Sequence, residues 1–94
     1  MTTTTSRTAD TIAIGSDRAI GSDSARRNAS KAVRCYTIRE WTAGAISRGQ
    51  FHVLSLIAAS IDHEQLVRRD DIARLDEAHR EFVVSALIEN GARP

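Results

Sequence analysis

The sequence predicts a small all-α domain of three or four helices that contains a helix-turn-helix and follows a disordered N-terminal tail. Three observations carry that expectation. Apolar residues recur at helical spacing from Tyr36 onward. Helix starts are marked by Ser, Thr or Asp with Glu or Gln three positions later. No stretch alternates as a half-buried strand would, and no Asn-Gly or Asp-Gly hairpin turn is present. With 94 residues, 41% of them hydrophobic and four of them aromatic, the chain has material for one domain and not two.

The elements follow in order. Residues 1–35 read as a Ser/Thr/Arg-rich tail. Met1–Thr8 is almost entirely Thr, Ser and Arg, and a pentapeptide then occurs twice, as Ala13–Asp17 and Ala19–Asp23. Small polar residues and glycine bury too little apolar surface to offset chain entropy, and two copies of five residues build no solenoid. The repeat therefore reads as replication slippage in a tolerant segment. A compact helical domain is expected over 36–91. Thr37-Ile38-Arg39-Glu40 is a capping box, and Ile38, Trp41 and Ala45 share one face of the short helix it would open, which Gly44 would end. This spacing places Trp41 in the core.

Ser47-Arg48-Gly49-Gln50 is a second capping box. It opens the most apolar segment, with Phe51, Leu54, Ile57 and Ile61 on one stripe and Val53 and Leu56 beside it. A helix apolar over so much of its circumference belongs at the centre of a small domain. Asp62, with Gln65 three residues on, is a further cap candidate, and 62–69 reads equally as a turn, a strand or a bend. From Asp71 a long amphipathic run places Ile72, Leu75, His79, Phe82, Val83, Ala86 and Leu87 on one face, and Gly91 marks its stop.

Charge and composition exclude several classes. No apolar stretch approaches the ~20 residues that cross a bilayer, and no secretory apolar segment opens the chain. Cys35 has no intrachain partner, so a disulfide framework is excluded and a cytoplasmic location is the default. His52, His63, His79 and Cys35 lack ligand spacing to one another, so no metal is expected. No nucleophile–base–orienter set is visible, so neither an enzyme nor a cofactor is expected. Net charge is only +1, but it is unevenly spread: residues 1–36 hold six basic residues against three acidic, and residues 37–94 hold seven against nine. All but one of the basic residues are arginine, which suits bidentate phosphate or carboxylate contacts.

Two helices joined by a glycine turn at 44–46 match the helix-turn-helix pattern. Its second helix would present Ser47, Arg48, Gln50 and His52 to a major groove, Arg to guanine and Gln to adenine, with the Ser47-capped end meeting phosphate. Arg26, Arg27, Lys31 and Arg34 would form a basic arm on the backbone. Tyr36-Thr37-Ile38-Arg39-Glu40-Trp41 followed by Ile46-Ser47-Arg48-Gly49-Gln50-Phe51 resembles the start of excisionase-like and MerR-type DNA-binding domains. The resemblance covers about 20 residues. It implies double-stranded DNA as partner, a role as transcriptional regulator or excisionase-like accessory factor, and a wing near Leu66-Val67-Arg68-Arg69 ahead of the last helix.

The same caps and glycine also serve an αα-hairpin in a helical bundle. On that alternative the chain is a non-enzymatic protein-interaction module: an inhibitor, an adaptor or a small subunit. It would offer its apolar helix 47–61 to a protein partner or to a second copy in a homodimer, with Trp41, Phe51, Leu54, Ile57 and Phe82 as core or interface residues. An exposed apolar patch would mark such a surface.

Overall fold

The computed structural model describes residues 18–64 and 66–92. Among them the order is β1 (Arg18–Ala19), α1 (Asp23–Thr42), α2 (Arg48–Glu64), β2 (Leu66–Val67), α3 (Arg69–Ala73) and α4 (Glu77–Glu89). The protein is therefore mainly α-helical, as its periodicity predicts. The expectation of a disordered tail over residues 1–17, together with the first pentapeptide copy, lies outside the described residues.

The expected boundary at residue 36 is overturned. Residues 23–35 are helical, and α1 runs 20 residues without a break across that boundary. Ser22 is its cap, its Oγ accepting from the Ala25 N–H at 3.1 Å. Thr37 caps nothing. It lies in mid-helix, buried, and its hydroxyl donates to the Val33 carbonyl at 2.7 Å. Nothing between 23 and 36 is glycine or proline, and the buried face of the helix is built from Ala29, Ser30, Val33 and Thr37. These small side chains look like weak core formers in a sequence. In the fold they let α1 approach its neighbours closely. The second pentapeptide copy is structural as well: Ile20 is buried, Ser22 caps α1 and Asp23 sits in its first turn.

Gly44 ends α1 with φ +71°. The Ala45 N–H reaches the Glu40 carbonyl at 2.9 Å and the Gly44 N–H reaches that of Trp41 at 3.0 Å, the paired bonds of a Schellman stop. The same arrangement closes α4. Gly91 has φ +79°, the Ala92 N–H meets the Leu87 carbonyl and the Gly91 N–H meets that of Ile88, both at 2.9 Å.

α1 and α2 lie antiparallel along most of their length. Trp41 packs at a tilt against Phe51 near the turn, and Arg34 and Arg26 pair with Asp62 at the far end. The helix–turn–helix unit is thus a long αα-hairpin. Asp62 is not a cap, because α2 continues through it to Glu64. Leu66–Val67 pairs antiparallel with Arg18–Ala19, in the register Arg18 to Val67 and Ala19 to Leu66. The expected wing position is thus a short strand whose partner comes from ahead of α1.

The long run expected from Asp71 is two helices. The chain bends at Arg74–Asp76, where Asp76 is extended. Apolar periodicity continues through the bend because Ile72 precedes it, Leu75 lies within it and His79, Val83 and Leu87 follow it, all facing the core. Leu54, Ile57 and Ile61 of α2 are fully buried at the centre, together with Val33, Val67, Ile72, Val83 and Leu87.

Candidate interaction face

The residues expected to read DNA divide sharply in the fold. Ser47 does cap α2, its Oγ accepting from the Gln50 N–H at 3.2 Å. Arg48 and His52 are exposed in the first turns of α2. Gln50 is not available to a base. Its side-chain amide donates to the Arg74 carbonyl at 3.0 Å, and its oxygen accepts from the Asp76 N–H at 2.7 Å. It therefore splices the two backbone groups that the α3–α4 bend would otherwise leave unmatched. The second capping box is only half made, since this carboxamide does not return to Ser47.

The basic arm is a helix face, and two of its four members are committed within the molecule. Arg34 binds the Asp62 carboxylate at 2.5 Å and its Nε donates to Ser30 Oγ at 3.3 Å. Arg26 lies 3.7 Å from the same carboxylate and 3.8 Å from that of Asp23. The hydrogen bond from Arg34 holds the Asp62 carboxyl below its ordinary range. Ser30 and the positive charges of Arg34 and Arg26 act in the same direction, against the opposing effect of burial. Arg27 and Lys31 are exposed and make no ion pair among the described residues.

The expected core positions divide too. Leu54 and Ile57 are fully buried, and Phe51 and Phe82 are half-buried at the edge of the core. Trp41 is 46% exposed and Ile38 63% exposed, so the predicted stripe Ile38–Trp41–Ala45 faces solvent. The reason lies in α1's true extent. A 20-residue helix anchored by Ala29, Val33, Tyr36 and Thr37 turns positions 38 and 41 to the flank.

That flank has a definite shape. Between α1 and α2 lies a cavity of about 200 Å³ lined by Arg34, Thr37, Ile38, Phe51, Ser55 and Ala58. Trp41 stands next to the lining residue Phe51, with its ring 4.8 Å from that of Phe51 and tilted at 44°. Arg27, Lys31, Arg34 and Ile38 succeed one another along α1 at helical spacing, and Arg48 and His52 stand beside Phe51 on α2. The result is an apolar groove with a basic margin.

On the opposite side of α1, Tyr36 stacks on Phe82 with ring centroids 3.9 Å apart, and its hydroxyl lies in hydrogen-bond contact with His79 Nδ1 at 2.7 Å. Burial pushes the Tyr36 phenol up, Glu40 adds to the rise and Arg39 opposes it. His79 is buried, Cys35 is exposed, and among the described residues no three His, Cys, Asp or Glu side chains gather as a metal-holding group. No helix among them is long and apolar enough to cross a membrane.

No family model matches the chain, and no curated protein or solved structure matches it.

Proposed function

We propose that the protein is a helical protein-interaction module that docks its partner on the α1–α2 flank. The observation that carries this reading is the pair of large apolar side chains, Ile38 and Trp41, held in solvent over a groove floored by Phe51 and Ala58. A core this small has every reason to bury such residues. Large apolar groups clustered outside it mark a surface that is covered by something else. The test uses the full chain as bait in extract of its native cell, beside Ile38→Ser and Trp41→Ala baits of unchanged circular dichroism. A partner counts when, once purified, it binds the wild-type chain and binds Ile38→Ser at least about tenfold more weakly. Equal capture by all three baits overturns the reading.

A second reading, DNA binding, is favoured by one observation: Arg27, Lys31, Arg48 and His52 are exposed on the same flank. It predicts duplex affinity that falls steeply between about 50 and 200 mM salt and weakens in Arg48→Ala. On this reading Gln50→Ala acts through folding. An unchanged fluorescence anisotropy of labelled duplex at low salt removes it.

A further inference from the structure

We propose that the α1–α2 flank is a self-association surface and that its occupant is the outer face of α4 from a second copy of this chain. The inference rests on the interaction-module reading and names its partner. Along α1 the exposed row runs Arg27, Lys31, Ile38, at i, i+4 and i+11. Along α4 the exposed row runs Glu77, Glu81, Ile88, at the same i, i+4 and i+11. Each row spans about 16 Å. Laid parallel, they set Arg27 against Glu77, Lys31 against Glu81 and Ile38 against Ile88 in a single register.

The chemistry of the two rows is complementary. Arg27 and Lys31 make no ion pair among the described residues, and neither do Glu77 and Glu81. Ile88 is 49% exposed, one of four large hydrophobic residues so placed among the described residues, and two of the others are Ile38 and Trp41. The groove beside Ile38 is apolar and open to receive it. The contact cannot close within one molecule. α4 already packs on α1 from the other side, through Phe82 and His79 on Tyr36, so its acidic row faces away from its own chain's basic row. A second copy supplies that row without any change of fold. The uneven charge of the sequence, basic in front and acidic behind, thereby acquires a use: it orients one copy on the next.

The experiment is sedimentation velocity of the full chain, from about 10 to 300 μM, a range suited to a contact built on two surface ion pairs and a small apolar centre. The wild-type chain is expected to grow in mass with concentration, and less so at high salt. Lys31→Glu and Glu81→Lys each place like charges in the contact and are expected to weaken association about tenfold, with circular dichroism unchanged because both positions are exposed. An equimolar mixture of the two variants restores opposite charges across the contact and is expected to recover wild-type association. A mixture no better than either variant alone overturns the proposal, as do single variants that associate like wild type. A wild-type chain that stays monomeric throughout also overturns it. The interaction-module reading then stands if a purified partner still distinguishes wild type from Ile38→Ser, and falls with it if none does.

Discussion

The inner and outer faces of α1 invert the usual relation between size and burial. Inside are Ala29, Ser30, Val33 and Thr37; outside are Arg27, Lys31, Ile38 and Trp41. The inner face stabilises by proximity. Ala29 and Val33 are completely buried, and their small volume sets how near α1 lies to α2 and α4. The outer face contributes little to folding and presents reach, charge and apolar area. At positions 38 and 41 hydrophobicity alone would assign the faces the other way round. What separates them is how completely neighbouring helices cover the face, and α2 and α4 cover the small one.

Four measurements probe that contrast. Enlarging the inner face should cost most: Ala29→Leu overfills a site with no exposure and is expected to lose about 1–3 kcal/mol. In a domain of this size each kcal/mol lowers the melting temperature by about 4–8 °C, which calorimetry reads directly. Gln50→Ala comes next. It removes both bonds that bridge Arg74 and Asp76, partly exposed ones, so urea denaturation is expected to show a loss of about 1–2 kcal/mol.

The third measurement concerns Asp62, which ties the flank of α1 to the end of α2. Its carboxyl is held low in the folded chain, so the unfolded chain binds more protons as acid is added. Its contribution is complete above the unfolded value near 3.8 and disappears as pH falls through the lowered native value. Asp62→Asn is expected to cost at most about 1 kcal/mol at neutral pH, since the pair is partly solvated. The gap between variant and wild type should narrow in denaturation curves recorded below about pH 4. A gap that persists in acid would mean that the carboxylate's charge is irrelevant there. The smallest effect belongs to the outer face: Ile38→Ser is expected to change stability by less than about 0.5 kcal/mol. A larger loss would show that this face is part of the core after all.

How much of this the sequence discloses varies with the range of the forces involved. Features set within a few residues are legible: the Ser47 cap, the stops at Gly44 and Gly91, and the central stripe Leu54–Ile57–Ile61. Features set by distant partners are not. The bend at Arg74–Asp76 is spliced by a side chain about 25 positions earlier, while the local apolar pattern runs straight through it. Arg26 and Arg34 read as free cations because Asp62, their anchor, lies far along the chain. The start of α1 is hidden for another reason. Its buried face is written in Ala, Ser and Thr, and the glycine and serine ahead of it look like filler although Ser22 is a working cap. Of the candidate site, Arg48 and His52 are where their spacing puts them. Ile38 and Trp41 became site residues only once α1 was known to be long.

Trp41 is the chain's one tryptophan, and it stands half in solvent beside Phe51, away from the buried centre. The optical consequence is unusual for a small domain. Its indole is already half wet in the folded state, so melting the core changes its surroundings less than it would for a buried tryptophan. Covering the α1–α2 flank changes them greatly. The intrinsic emission of this protein is therefore a gauge of what sits on its surface, shifting to the blue when the groove is filled.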